Sequence, residues 1–190
     1  MEIDKQNTDL KKLALIKAAC NLIAIKGFEG LRIREIAANV GINAATLYYY
    51  YPTKEALIDD LVSYVFNQMR IFEEEAPGTP REQLHAHLTR LYRKMLDEPG
   101  IFAVFIEIQL RMERTDNHET FKSFTNAWHV KLEKLIQTGI KQGYWPNYLE
   151  ADHAANTIIM LMQGAFLTVS SNPRRVENSI AQLERWLIGR

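Results

Sequence analysis

One cysteine stands in the 190 residues. A lone thiol closes no disulfide within a chain and supplies no cysteine-based metal set, which excludes a disulfide scaffold. Cys20 lies in an apolar helical stretch and reads as a small core residue. Glycine and proline are scarce, at nine and six, so collagen-like and low-complexity architectures are excluded. Charge of either sign is not in excess, with 23 basic against 23 acidic side chains, and the chain as a whole exerts no strong pull on nucleic acid or an anionic membrane. No apolar run reaches the roughly 18 residues of a membrane span, and the opening MEIDKQNTDLKK lacks the basic-then-apolar pattern of an export signal. The expectation is a cytoplasmic protein without a membrane partner. Catalytic signatures are missing too: there is no P-loop, G-x-G-x-x-G, G-x-S-x-G, H-E-x-x-H or cysteine cluster. Neither an enzyme nor a cofactor is predicted. His85 and His87, two apart, point to different sides of a helix and cannot share a metal there, so no metal site is predicted.

What is present is helical periodicity in a chain that is 47% apolar. Charge is unevenly placed. Through Lys54 there are eight basic and five acidic residues, and beyond it 15 basic and 18 acidic. A modestly basic head on a modestly acidic body suits a protein that meets phosphate at one end. That head carries REIAANVGINAATLYYYYPTKEAL, which reads as a short helix, a turn centred on Gly41, a second short helix capped by Asn43, and a Pro52-Thr53 break into a long helix. Two helices joined by a tight glycine-containing turn form a helix-turn-helix. Four consecutive tyrosines cannot all face one way at about 100° per residue. With Leu47 and Tyr51 turned inward against Ile36 and Ile42, the outer side keeps Ala44, Ala45, Thr46, Tyr48 and Tyr49. Small residues admit close approach to base edges, and tyrosine hydroxyls can donate to phosphate oxygens.

The run GLRIREIAANVGINAATLYYYYPTKEALIDDL resembles the DNA-binding domain of the TetR family of one-component bacterial transcription regulators. The resemblance rests on Ile36-Ala37, Gly41-Ile42-Asn43, Thr46-Leu47-Tyr48, an aromatic at Tyr51, and Lys54-Glu55 with Leu57. It implies that Asn43, Ala44, Ala45, Thr46, Tyr48, Tyr49 and Lys54 face double-stranded DNA. Arg32 stands where the family usually carries a capping Thr or Ser, so its phosphate contact is a longer, charged one or is absent.

Helix one is expected over about Leu10 to Lys26, with Leu13, Ile16, Cys20 and Ile23 on one face and Gly27 as its stop. The helix opening at Lys54 carries Leu57, Leu61, Val65, Met69 and Phe72. Thr79-Pro80-Arg81-Glu82 spells a capping box, Leu84, Leu88, Leu91, Tyr92 and Met95 follow, and Pro99-Gly100 reads as a stop. The next helix is apolar almost all round and holds Glu107, tied to Arg111 or open to a ligand. Asp116 with Glu119 is a candidate cap for helix seven, which ends near Gly143. Helix eight is expected over about Glu150 to Val169, and Asn172-Pro173 opens helix nine.

The sequence therefore predicts an all-α chain of about nine helices: a three-helix DNA-binding domain over 1–53 and a helical effector-binding and dimerisation domain over 54–190. Candidate effector residues are Phe66, Met69, Tyr92, Phe102, Phe105, Glu107, Gln109, Phe124, Trp128 and Gln163, with His129 as a weaker polar candidate. Two apolar helices at the C-terminus suggest a four-helix homodimer interface, for which Gly164, Ala165, Thr168, Ile180, Leu183 and Leu187 are the candidates. The function read from this is a regulator that leaves a palindromic operator when a small, largely apolar effector binds. An activator of the same fold, or a helical carrier or enzyme with an idle helix-turn-helix, are the alternatives.

Overall fold

The computed structural model describes residues 2–69, 76–115 and 119–189. Among them every regular element is helical: α1 (Glu2–Lys26), a 3-10 turn (Phe28–Gly30), α2 (Ile33–Asn39), α3 (Ala44–Tyr50), α4 (Lys54–Met69), α5 (Pro80–Asp97), α6 (Pro99–Thr115), α7 (Glu119–Lys141), α8 (Ala151–Thr168) and α9 (Pro173–Leu187). Phe72 and Asp116, assigned above to a core stripe and a cap, lie outside the described residues.

Local chemistry explains most of the boundaries. Gly41 ends α2 at φ 74°, where the Ile42 N–H donates to the Ala37 carbonyl and the Gly41 N–H to that of Ala38, both at 3.0 Å. This is a Schellman close, and its left-handed residue favours glycine. The capping box forms: Glu82 Oε2 accepts the Thr79 N–H at 2.7 Å, and Thr79 Oγ1 accepts the Glu82 N–H. Those bonds hold the Glu82 carboxyl below the usual carboxylate range. Asn172 caps α9 by accepting the Arg175 N–H at 3.2 Å, with Pro173 in the first turn.

Two boundaries differ from expectation. α1 begins at Glu2 instead of near Leu10, because nothing before Leu10 breaks a helix. Pro99-Gly100 is the first turn of α6, with Glu98 alone separating it from α5, because proline is accommodated where a helix begins.

α1 is the element that joins the parts. It packs on α2 and α3 in the head and on α4 and α6 in the body. α6 in turn touches α4, α5 and α8, while α7 packs on α8, and α9 on both α5 and α8. Phe66, Phe105, Phe121 and Phe124 meet face and edge with centroids 5.1 to 6.4 Å apart, and Phe102 and Phe166 extend the cluster. Trp145, from the aromatic loop after α7, is buried over Gly139.

Candidate nucleic-acid interface and effector cavity

The head presents α3 as its outer element. Leu47 and Tyr51 are buried with Ile36 beneath it, whereas Tyr48 and Tyr49 are 47% and 79% exposed. Ala45 and Asn43 are exposed, and Ala44 and Thr46 are half-buried. Asn43 Oδ1 accepts both the Thr46 N–H at 2.8 Å and the Thr46 hydroxyl at 3.0 Å. Cap and hydroxyl thus lock each other, so the Thr46 methyl and the Asn43 amide N–H₂ are what remains for a partner. Tyr49 stands edge-on to Tyr50, with centroids 5.3 Å apart, which aims its ring outward.

Basic groups border this surface. Arg32 provides no side-chain cap to α2; its Nη1 donates to the Glu29 carbonyl at 2.7 Å, and the guanidinium stays exposed. Arg32 and Arg34 line a groove with Ile33, Glu35, Ala44 and Tyr48. Arg34 escaped the sequence reading, since only the packing of α2 against α3 sets it beside Tyr48. Lys54 Nζ donates to the Leu31 carbonyl at 2.9 Å, so the start of α4 is latched to the loop that leads into α2. Thr53 Oγ1 accepts the Ala56 N–H at 3.1 Å and caps α4.

In the body, a cavity of about 630 Å³ opens between α5 and α7. Pro80, Trp128, Leu132 and Leu135 supply an apolar wall, and His87, Arg90, Lys131 and Thr138 a polar side. Of the candidate effector residues, Trp128 alone lines it. Phe66, Met69, Phe102 and Phe105 are buried in the core, where ring packs on ring, and Phe124 stacks on Phe66 from α7. Tyr92 turns to α9, where its hydroxyl donates to the Pro173 carbonyl at 3.1 Å. Glu107 faces the seam between head and body: it lines a crevice with Gly27, Phe28 and Arg111, and Arg111 lies over the Phe28 ring, 5.0 Å from its centroid. Gln109 and Gln163 are half-buried on α6 and α8.

His87, which cannot share a metal with His85, is the buried polar side chain of this cavity. Its Nε2 accepts the Trp128 indole N–H at 3.0 Å. Burial, reinforced by Arg90 and Lys131, pushes the imidazole down to about 3 from 6.5. In the unfolded chain it titrates near 6.5, so below that pH the unfolded state takes a proton the folded state refuses. Stability is unaffected above 6.5 and falls progressively toward about 3. At about pH 5 the loss is about 2 kcal/mol. His87→Gln keeps an acceptor for Trp128 but does not titrate, so its melting temperature should fall less steeply than wild type as pH drops from about 7.5 to 5; parallel curves would contradict this assignment.

The expected dimer residues divide. Ala165, Ile180, Leu183 and Leu187 are buried within the chain, because α8 and α9 turn those stripes onto their own neighbours. Gly164 and Thr168 are exposed. Beside them on α8, Met160 and Leu167 are 70% and 68% exposed, and Trp186 on α9 is 65% exposed.

An exposed, capped α3 carried on a helix-turn-helix and joined to a helical body defines a DNA-binding regulator class. The family model described as bacterial regulatory proteins, tetR family, matches residues 15–61. The HTH-type transcriptional regulator EthR of Mycobacterium tuberculosis is 30% identical over 172 residues, which span 85% of this chain and 76% of EthR. The uncharacterized HTH-type transcriptional regulator YuxN of Bacillus subtilis is 32% identical over 104 residues; that match spans 53% of this chain and 34% of YuxN. Among solved structures, AibR in complex with isovaleryl coenzyme A and operator DNA superposes with a TM-score of 0.72 at 17% identity, over 90% of this chain and 97% of that one. The chain belongs to the TetR family and is a DNA-binding transcriptional regulator. No helix among the described residues is long and apolar enough to cross a membrane.

Proposed function

We propose that the protein is a cytoplasmic, homodimeric repressor in which residues 1–53 bind a palindromic operator and residues 54–190 bind an effector and dimerise. The observation that carries this reading is the outward display of Tyr48 and Tyr49 beside Arg32 and Arg34. Two copies of α3 enter successive major grooves about 34 Å apart. Asn43, Ala44, Ala45 and Thr46 lie at the helix start, where base edges are reached, and Lys54 holds α4 against the head.

The outer face of α8, with Met160, Gly164, Leu167 and Thr168, and Trp186 of α9 form the self-association surface. Large apolar side chains so exposed in one chain are covered in a dimer. The effector occupies the cavity between α5 and α7. Its apolar wall takes the apolar part of such a molecule, and its polar side, which includes Arg90, Lys131 and Lys134, orients the ligand. AibR, solved with both a small molecule and operator DNA, supports a two-ligand reading of this fold.

The cavity communicates with the head through packed helices: α5 touches α6, and α6 touches α1 and α4. An effector that binds better to the form with α4 displaced draws on the Lys54–Leu31 latch and moves α3 off register. Differential affinity worth about 1 to 3 kcal/mol weakens operator binding about 5- to 150-fold. Selection from a random DNA pool at low salt tests the reading: an enriched site with two-fold symmetry is expected, and a site without symmetry would overturn the dimeric mechanism.

A further inference from the structure

We propose that the cavity between α5 and α7 selects an organic anion, a carboxylate or similar oxyanion head carried on an apolar body. This names the chemical class of the effector and rests on the reading that the cavity is the effector site. Among the described residues, three cations, Arg90, Lys131 and Lys134, line it against one carboxylate, that of Glu82. Glu82 is already engaged, because its Oε2 accepts the Thr79 N–H at 2.7 Å and the Thr79 hydroxyl at 2.9 Å in the capping box of α5. The lining is therefore electropositive. Arg90 and Lys131 are half-buried, and a cation partly withdrawn from water draws an oxyanion more strongly than a solvated one.

His87 adds a directed donor. Its side chain is 6% exposed and lines the cavity, and its Nε2 accepts the Trp128 indole N–H. In a neutral imidazole that bond fixes the tautomer, so the proton sits on Nδ1. The Nδ1–H has no acceptor among the described residues. A donor on so buried a side chain calls for one, and an oxyanion in the cavity provides it. Arg90 and Lys131 keep the ring from taking a second proton, so the histidine contributes direction and the two cations contribute charge.

The cavity also has room for an apolar body beside that head. α5 and α7 run antiparallel across it: His87 meets Trp128, while Pro80 lies against Gly139. His87 and Pro80 are roughly 10 Å apart along α5. Arg90 follows His87 by three residues and Lys131 follows Trp128 by three, so both cations sit within a turn of the His87–Trp128 bond. Leu135, one turn before Gly139, and Pro80 form apolar wall at the other end. An oxyanion beside His87 with its apolar part toward Pro80 and Leu135 uses both ends.

The fluorescent anion anilinonaphthalene sulfonate and its uncharged counterpart phenylnaphthylamine, which lacks the sulfonate, test the class when titrated into the full chain. The sulfonate should bind at least about tenfold tighter, and decanoate should displace it where decanol does not. Arg90→Gln combined with Lys131→Gln should erase the preference, with circular dichroism as the check on folding. Lys122→Gln, an exposed α7 position beside Glu119, should preserve it. Thr138→Trp fills the cavity from an exposed lining position and should block both probes. Equal affinity for the two probes, abolished by Thr138→Trp, overturns the anion class and keeps the cavity as an apolar ligand site. A preference that survives the double variant, or no binding of the sulfonate, overturns the proposal outright. Operator release by the bound anion is a separate readout: its failure alone strikes the effector reading and leaves the selectivity for anions standing.

Discussion

Tyr48→Ala combined with Tyr49→Ala is expected to lower affinity for the selected operator by about 100- to 1,000-fold. With two copies of α3 on the operator, as proposed, four aromatic hydroxyls are lost, and a hydrogen bond to phosphate or a base edge contributes about 1 kcal/mol, so the loss approaches about 4 kcal/mol. Stability should hardly change, because both rings project from the protein. Electrophoretic mobility shifts, run beside sedimentation of the free variant, separate these effects. The tyrosines are neutral, so the dependence of affinity on salt should keep its slope. Arg34→Ala, by contrast, removes a cation beside Tyr48 and should shallow that slope by about 1 per half-site. Unchanged affinity in the double variant would move the DNA interface away from α3.

Gly139→Ala should cause the largest loss of stability. A Cβ at this helical position would meet the Trp145 ring carbons at 2.0 Å and Pro80 at 3.1 Å. Trp145 is 4% exposed and is walled in, so the clash cannot be relieved by a small rotation. Overpacking of this kind costs about 3 kcal/mol, which lowers the melting temperature of a chain this size by about 6 to 12 °C. Urea denaturation at matched protein concentration measures it. Trp145→Leu added to Gly139→Ala should cost less than the sum of the two single changes, because one side chain then yields to the other. Additive losses would mean that the contact between Gly139 and Trp145 is not the cause.

These positions differ in how readable they are. The helix-turn-helix is written locally. Gly41 takes the positive φ that closes α2, Asn43 caps α3 three residues from its donor, and the spacing of Leu47 and Tyr51 turns the other tyrosines outward. Gly139, in contrast, looks like an ordinary helical glycine until the loop carries Trp145 over it. Arg32 shows the intermediate case: the missing cap was visible, but its bond to the Glu29 carbonyl was not.

In the body the same division explains the misplaced residues. Aromatic side chains on amphipathic helices advertise burial, yet the sequence does not say whether they fill a core or wall a cavity. Phe66, Phe102 and Phe105 pack on other rings, while the cavity between α5 and α7 uses His87, Leu132 and Leu135, none of them among the expected effector residues. Ile180, Leu183 and Leu187 form a periodic stripe, and periodicity does not tell an intrachain neighbour from a second subunit.

By itself the sequence determined an all-helical chain, the helix-turn-helix and the outward face of α3, because caps, glycine conformations and helical periodicity act within a turn or two. Only the tertiary structure decided that Trp128 alone among the expected residues lines the α5–α7 cavity, that Glu107 faces the head, and that Asp152 reaches His129. Those juxtapositions depend on which helix packs against which and at what register, a property of long-range burial that no local spacing encodes.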